Sequence, residues 1–405
     1  MYSKKIIDLL REHGPVTRSN LELEYKSAHG APDFSVKETL TKLRKQRRVE
    51  YQDKHWGAKP TALGCNIFAG GFAAGVCKHF DILAHFEESN YFVRTFKHNF
   101  PHVPVWINLA TWPRDRFRGE VDWVYCNPPC APWSPAGATS RRGADAWRTD
   151  SRVDCVWNSF SLLDAIRPKV WCWESVPRAA SPNGGRELVL ELIERAKKLG
   201  YAATELFNAA WMHGIPQRRR RFMLFLHNIE LTFPPPEIKF RTLRDVIYGM
   251  EPDPDVIWLD EQRQKLYAET APGDSMRSTF NQLYPNSVEK KNVRGRPPWA
   301  EFRQHWDWLA GTITSHNSQL HPDDPRALAL NEVHRICGYP DDWEFVGPRG
   351  TWRTQMAQAV MPPVAEYVAK CVRQSIDLDR GISQLSHEVV DWTEDAKMPK
   401  EKPSG

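Results

Sequence analysis

Between Gly64 and Leu226 the chain repeats one rhythm, and that rhythm restricts its fold more than any other feature. Short apolar runs predict strands over 65–68, 83–86, 105–107, 121–125, 169–173 and 221–226. Helical patterns over 159–166 and 186–199 lie between the later strands. Brief, almost wholly apolar strands alternating with amphipathic helices build a doubly wound, mostly parallel sheet covered on both faces. The expected fold class is α/β.

Sheets of this kind place their chemistry where the chain leaves the carboxyl ends of the strands. The first such turn reads Phe68-Ala69-Gly70-Gly71-Phe72-Ala73-Ala74-Gly75. Glycines there let a ligand approach the backbone at a helix N-terminus. Glu87 ends the second strand, and an acid about 20 residues after the glycines suits the paired hydroxyls of a ribose. Asn108 follows the third strand and can bond an adenine edge. The sequence has no lysine-bearing phosphate loop, so an adenosine-containing cofactor without a triphosphate is expected.

The next strand leads into Asn127-Pro128-Pro129-Cys130-Ala131-Pro132-Trp133-Ser134. Prolines on both sides hold the backbone extended, which presents the Cys130 thiol on a stiff loop. A lone cysteine is most often a packing residue, but two runs farther along the chain point to chemistry instead. Trp173-Glu174-Ser175-Val176-Pro177 puts a carboxylate at another strand end, suited to proton transfer to a ring nitrogen. Gly214-Ile215-Pro216-Gln217-Arg218-Arg219-Arg220-Arg221 then runs into the last strand. Alternation puts Gln217, Arg219 and Arg221 on one face and Arg218 and Arg220 on the other. Inward arginines are costly unless they meet an anion or polar acceptor.

The first 60 residues have a different texture. They hold 13 Lys and Arg against 8 Asp and Glu, while the remainder holds 42 of each, so the whole formal charge of +5 lies there. Three short helical patterns are separated by Gly14-Pro15 and capped by Thr17 and Ser35. The third carries Lys42, Arg44, Lys45, Arg47 and Arg48 around an apolar stripe of Val36, Leu40 and Leu43. A strand starting at Val49 and a turn at Trp56-Gly57 complete a pattern similar to a winged helix-turn-helix, with a protein-interaction module as the alternative. No apolar stretch approaches the roughly 20 residues that span a bilayer. The N-terminus has no apolar signal segment, and the eight cysteines contain no Cys-x-x-Cys pair. No metal site, no disulfide framework and a reducing cytoplasm are expected.

The order of these pieces resembles the cytosine-C5 DNA methyltransferases over roughly residues 64–372. Beyond the runs already quoted, Thr95-Phe96 with Asn99-Phe100-Pro101, Asp150-x-Arg152 and Asn208-Ala209-Ala210 fall in the family's order. So do Thr312-Ile313-Thr314, Arg326-x-Leu328, Glu332, Arg335, Gly338-Tyr339-Pro340-Asp341 and the run from Gln355 to Pro363. The resemblance implies a Rossmann-like methyltransferase sheet that uses S-adenosyl-L-methionine. Cys130 would attack C6 of a flipped cytosine, Glu174 would serve N3, and Arg219 and Arg221 would hold O2. It implies cofactor contacts from Phe68, Ala69, Gly70, Gly71, Glu87, Glu88, Asn108, Leu109, Pro129, Gln358 and Val360. Gln217 and Ser134, with the basic residues of the third helix, would contact double-stranded DNA. A monomer in the cytoplasm of a bacterium or phage-infected host is expected.

The expected organisation is a winged-helix-like DNA-binding domain at 1–60 and a catalytic domain at 61–231. A smaller target-recognition region follows at 232–350, then a return segment at 351–378 and a loose tail at 379–405. The sequence departs from the family at Ala131 (usually Gln), Ser175 (usually Asn), Asn66 and Asn108 (commonly Asp) and Ala357-Gln358 (usually Gly-Asn), and its first glycine loop is two residues shorter. Rival readings are a same-fold transferase acting on RNA or using a modified sulfonium donor, and a non-catalytic DNA-binding regulator. Retention of Cys130, Glu174 and both arginines argues against the last.

Overall fold

A computed structural model describes residues 2–30, 34–46, 48–52, 55–66, 68–109, 112, 115–134, 143, 145–286, 300–316 and 318–395. The chain starts with α1 (Tyr2–His13), α2 (Arg18–His29) and α3 (Val36–Lys45), followed by the antiparallel hairpin β1 (Val49–Gln52) and β2 (His55–Ala58). Thr17 and Ser35 cap their helices as the sequence predicts, accepting from the amides of Asn20 and Glu38 at 3.3 and 3.2 Å. The stripes meet in a small core that includes Ile6, Ile7, Leu10, Leu21, Leu40 and Leu43. Gln52 pairs with His55, so Trp56 and Gly57, expected at the turn, lie within β2; residues 53–54 are outside the described residues.

The main sheet has eight strands. In chain order they are β3 (Thr61–Cys65), β4 (Asp81–Phe86), β5 (Val105–Trp106), β6 (Trp123–Cys126), β7 (Val170–Ser175), β8 (Ala202–Ala209), β9 (Arg220–His227) and β12 (His387–Asp391). Across the sheet the order is β12-β8-β9-β7-β6-β3-β4-β5, and only β9 runs antiparallel to its neighbours. The chain moves outward from β3 through β4 and β5, then returns to the other side of β3 with β6. That reversal opens a crevice at the carboxyl ends of β3 and β6, where ligands bind in such sheets. Helices α4 (Gly71–Val76), α5 (Asn90–Asn99) and α13 (Pro362–Leu378) cover one face. Helices α6 (Asp154–Ile166) and α7 (Arg186–Lys198) cover the other.

Three expectations are corrected. The first strand ends at Cys65, because Asn66 and Phe68 both take positive φ near 51° and turn the chain out of the sheet. No expectation covered residues 202–209, which form β8 and pair with β9 along the full strand. The tail is not loose throughout, since β12 adds in parallel to β8 from Ala203 to Phe207. The region at 232–350 is narrower as a packing unit. Leu231, Phe233, Leu243 and Ile247, the last in α8 (Arg244–Ile247), join the main core. So do Val333 and Ile336 of α11 (Leu330–Ile336), Trp343, Phe345 and Met356 of α12 (Trp352–Gln358).

The separate unit is built around Leu266, Tyr267, Met276, Phe280 and Leu320. It consists mainly of α9 (Glu261–Glu269), α10 (Met276–Leu283) and the parallel pair β10 (Phe302–Arg303) and β11 (Gln319–Leu320). A bidentate Arg326–Glu332 pair, both bonds 2.9 Å and both residues buried, ties its exit to α11.

The N-terminal unit docks at the amino ends of the parallel strands. Arg48 grips the buried Asp81 carboxylate, with Nε 3.0 and 3.2 Å from its two oxygens, and Arg11 approaches to 3.5 Å. Arg373 of α13 bonds Glu50 at 3.0 Å. Asp81→Asn leaves Arg48 without its counter-charge, and since Arg48 is partly exposed the expected cost is about 2 kcal/mol, below that of a fully buried pair. Limited proteolysis and thermal unfolding should show the N-terminal unit releasing before the sheet melts; an unaltered cleavage pattern would count against this clasp.

Candidate functional site

The loop after β3 and the end of β4 form one half of the crevice. Gly70 adopts the left-handed conformation at φ 92°, and at Gly71 a Cβ would overlap the Val360 carbonyl oxygen. Both positions therefore require glycine. The Glu87 carboxylate accepts the amides of Phe68 and Ser89, each at 2.9 Å, so it fixes the loop from the neighbouring strand. Burial raises its pKa to about 7, against the lowering effect of those backbone amides. The Asn66 side-chain oxygen is buried without a hydrogen-bond partner among the described residues. Two acceptors and no cation between Asn66 and Cys77 suit the hydroxyls and amine of a nucleoside rather than a phosphate.

Phe68, Ala69, Leu109 and Val360 are buried around this half, and Pro129 is half-buried. Glu88, Asn108 and Gln358 are exposed. They stand at its rim rather than in its wall.

The other half is built by β6, β7 and β9. Parallel pairing sets Cys126 opposite Trp173, so the chain leaves β6 beside Glu174. Antiparallel pairing sets Glu174 opposite Met223, which brings the start of β9 alongside. Glu174 is 2% exposed. Its Oε2 accepts from the Asn127 side-chain amide at 2.5 Å, and Arg221 Nε lies 2.8 Å from Oε1. The Arg221 contact to Oε1 is an ion pair. Burial raises the Glu174 pKa, opposed first by Arg221 and then by Arg219.

Arg219 is buried, with its guanidinium 3.5 Å from the Ile313 carbonyl oxygen and 3.4 Å from that of Ala359. Burial, reinforced by Arg221, lowers its pKa to about 10, while Glu174, Cys130 and Cys337 pull the other way. Cys130 is thus within electrostatic reach of the same arginine that feels Glu174. It sits half-buried after two prolines, and its carbonyl accepts the amides of Trp133 and Ser134 at 3.1 and 2.9 Å. Trp133 is 1% exposed and packs on Trp173, ring centroids 5.3 Å apart, which pins the loop to β7.

Two residues expected at DNA are engaged within the protein. Gln217 is fully buried; its side chain accepts the Ile313 amide at 3.1 Å and approaches the Cys337 sulfur, so it organises the loop that follows the insert. Arg48 belongs to the clasp on Asp81. Lys42, Arg44 and Lys45 are exposed on α3, Ser134 is half-buried, and Arg47 lies outside the described residues.

Sequence reasoning missed Asn127, the closest neutral partner of the buried acid. The signal was a polar residue at the end of an apolar strand, directly ahead of the prolines. Among the described residues no group of three His, Cys, Asp or Glu side chains is placed to hold a metal ion. Likewise no described helix is long and apolar enough to cross a membrane.

A buried acid, a thiol and two arginines lie at the carboxyl ends of a methyltransferase-type sheet, an arrangement suited to group transfer. The C-5 cytosine-specific DNA methylase family matches residues 63–374. The chain belongs to that family: it is a DNA cytosine-C5 methyltransferase that uses S-adenosylmethionine. The type II methyltransferase M1.HphI of Haemophilus parahaemolyticus is 27% identical over 322 residues, covering 75% of this chain and 84% of that protein. The type II methyltransferase M.PspPI of a Psychrobacter species is 26% identical, covering 75% and 76%. The methyltransferase EhMeth of Entamoeba histolytica shares the fold, with a TM-score of 0.58 at 11% identity over 78% of this chain and 99% of that one.

The contact between Gly71 and Val360 makes a direct prediction. Gly71→Ala should force the loop away from Val360 and weaken S-adenosylmethionine binding about tenfold, the equivalent of a modest overpacking cost. Calorimetric titration measures it, and unchanged affinity would remove this loop from the cofactor site.

Proposed function

We propose that Cys130 is the covalent nucleophile of this methyltransferase and that Glu174, Arg221 and Arg219 hold the target ring. The observation that carries this is the buried Glu174 carboxyl set between Asn127 and Arg221, beside the Cys130 loop. Cytosine C5 is a poor nucleophile until the ring is converted to an enamine. Cys130 as thiolate adds to C6, forming the S–C6 bond. Glu174 serves N3 in the same step, so negative charge does not accumulate on the ring. Its raised pKa suits a carboxyl that keeps a proton for donation.

The cofactor supplies an electrophilic methyl group, held by Glu87, the Gly70-Gly71 turn and Val360. C5 would take the methyl as the sulfonium S–CH3 bond breaks to leave a neutral thioether, the C5 proton would pass to water, and elimination would break the S–C6 bond to return the thiolate. The ring reaches this crevice only when rotated out of the duplex, at a cost of a few kcal/mol. The unit around α9 and α10 would contact the groove and set the recognised sequence. The N-terminal unit would bind DNA through α3 in the manner of a winged helix. A cytoplasmic monomer is consistent with one complete site in a single chain.

Covalent capture tests the reading. A 5-fluorocytosine duplex cannot lose its C5 substituent as a proton, so the wild-type protein should remain attached while Cys130→Ala releases it. Capture by the alanine variant, or none by either, would overturn the nucleophile assignment. Glu174→Gln should lower kcat about 10²- to 10³-fold. The protonated Glu174 is lost as pH rises through its raised pKa, so wild-type kcat/KM should fall on the alkaline side and the glutamine variant should lack that limb.

A further inference from the structure

The clasp fixes where the N-terminal unit can act. Asp81, which holds Arg48, is the first residue of β4, whereas Glu87, which fixes the cofactor loop, follows the last. Six strand residues at about 3.3 Å each put roughly 20 Å of sheet between them. The other contacts of the unit agree. A cavity of about 890 Å³ between it and the sheet is lined by Lys59, Thr61 and Asp122 at the amino ends of the strands and by Arg373 at the far end of α13.

The N-terminal core then adds its own thickness beyond the sheet. The buried face of α3 turns inward through Val36, Leu40 and Leu43, leaving Lys37, Lys42, Arg44 and Lys45 exposed. A groove between α2 and α3 continues this surface with Arg18, Lys26 and Lys37. The entire formal excess of positive charge in the sequence belongs to this unit. A duplex whose base enters the crevice lies across the carboxyl ends of the strands, on the opposite side of the sheet.

We infer that this basic face is a second duplex-DNA site, and that one protein molecule holds two separate duplex segments at once. The inference rests on the reading of the N-terminal unit as DNA-binding and adds that its DNA is not the duplex being methylated. Charge complementarity selects a polyanion.

The test uses duplexes of about 20 base pairs, far below the persistence length and so unable to bend back to both sites. Native mass spectrometry of the full chain with excess duplex should show one protein carrying two duplexes. The charge-reversed variant K42E/R44E/K45E should lose the second duplex at least tenfold while its methylation of a short duplex stays within about twofold. Retained methylation also shows that the variant is folded. If the wild type carries only one duplex and the variant raises KM on it, both sites serve one duplex; the inference falls and N-terminal DNA binding stands. If neither stoichiometry nor KM responds to charge reversal, the DNA-binding reading of the unit falls with it. Two duplexes found only on protein dimers would also overturn the proposal.

Discussion

A carboxylate at 2% exposure inside a sheet is tenable only when its partners arrive from neighbouring strands. For Glu174 they do: Asn127 comes from the end of β6 and Arg221 from the start of β9, on either side of β7. This requirement explains the reversed strand. If β9 ran parallel to β7, its first residues would lie at the opposite end of the sheet, and Arg221 could not reach the acid. The same three strands set the Cys130 loop, because Asn127 is the first residue beyond β6 and the prolines leave the chain little freedom before the thiol. The Cys130 loop, the buried acid and the guanidinium are therefore positioned by one hydrogen-bonded ladder rather than by three independent loops.

Ser175 stands where the family usually has asparagine, and its hydroxyl is buried without a hydrogen-bond partner among the described residues. The tie between the nucleophile loop and the acid comes here from the loop itself, through the Asn127 amide. The departure at 175 therefore does not leave the acid unsupported. The Asn127 side-chain oxygen is itself buried without a partner among the described residues, beside the acid.

Much of the fold and site was legible in the sequence. The βαβ rhythm gives the parallel sheet, and strand alternation correctly puts Gln217 and Arg219 inward, with Arg218 and Arg220 exposed. Helix caps at Thr17 and Ser35 follow from local chemistry alone. What stayed hidden depends on tertiary partners. Burial of Gln217 against Ile313 involves a segment 96 residues away, and no local pattern marks it as structural rather than DNA-facing. Arg48 reads as one more cation in a basic run until Asp81 is seen beside it. Residues 202–209 are not assigned from the sequence, because their partner β9, not their Ala-, Leu- and Glu-containing composition, makes them a strand.

The edge strand β12 carries a consequence for how the protein is made. Its partner β8 lies nearly half the chain earlier, with His387 opposite Ala203. On the ribosome, β8 emerges and joins β9 long before residue 387 exists, so its outer rim of amides and carbonyls stays open through much of synthesis. Such distant parallel pairing is slow, and an open rim invites pairing with other chains. Translation rate over the last third of the message, and chaperone cover during it, should therefore govern the yield of native enzyme more than the innate stability of its finished core.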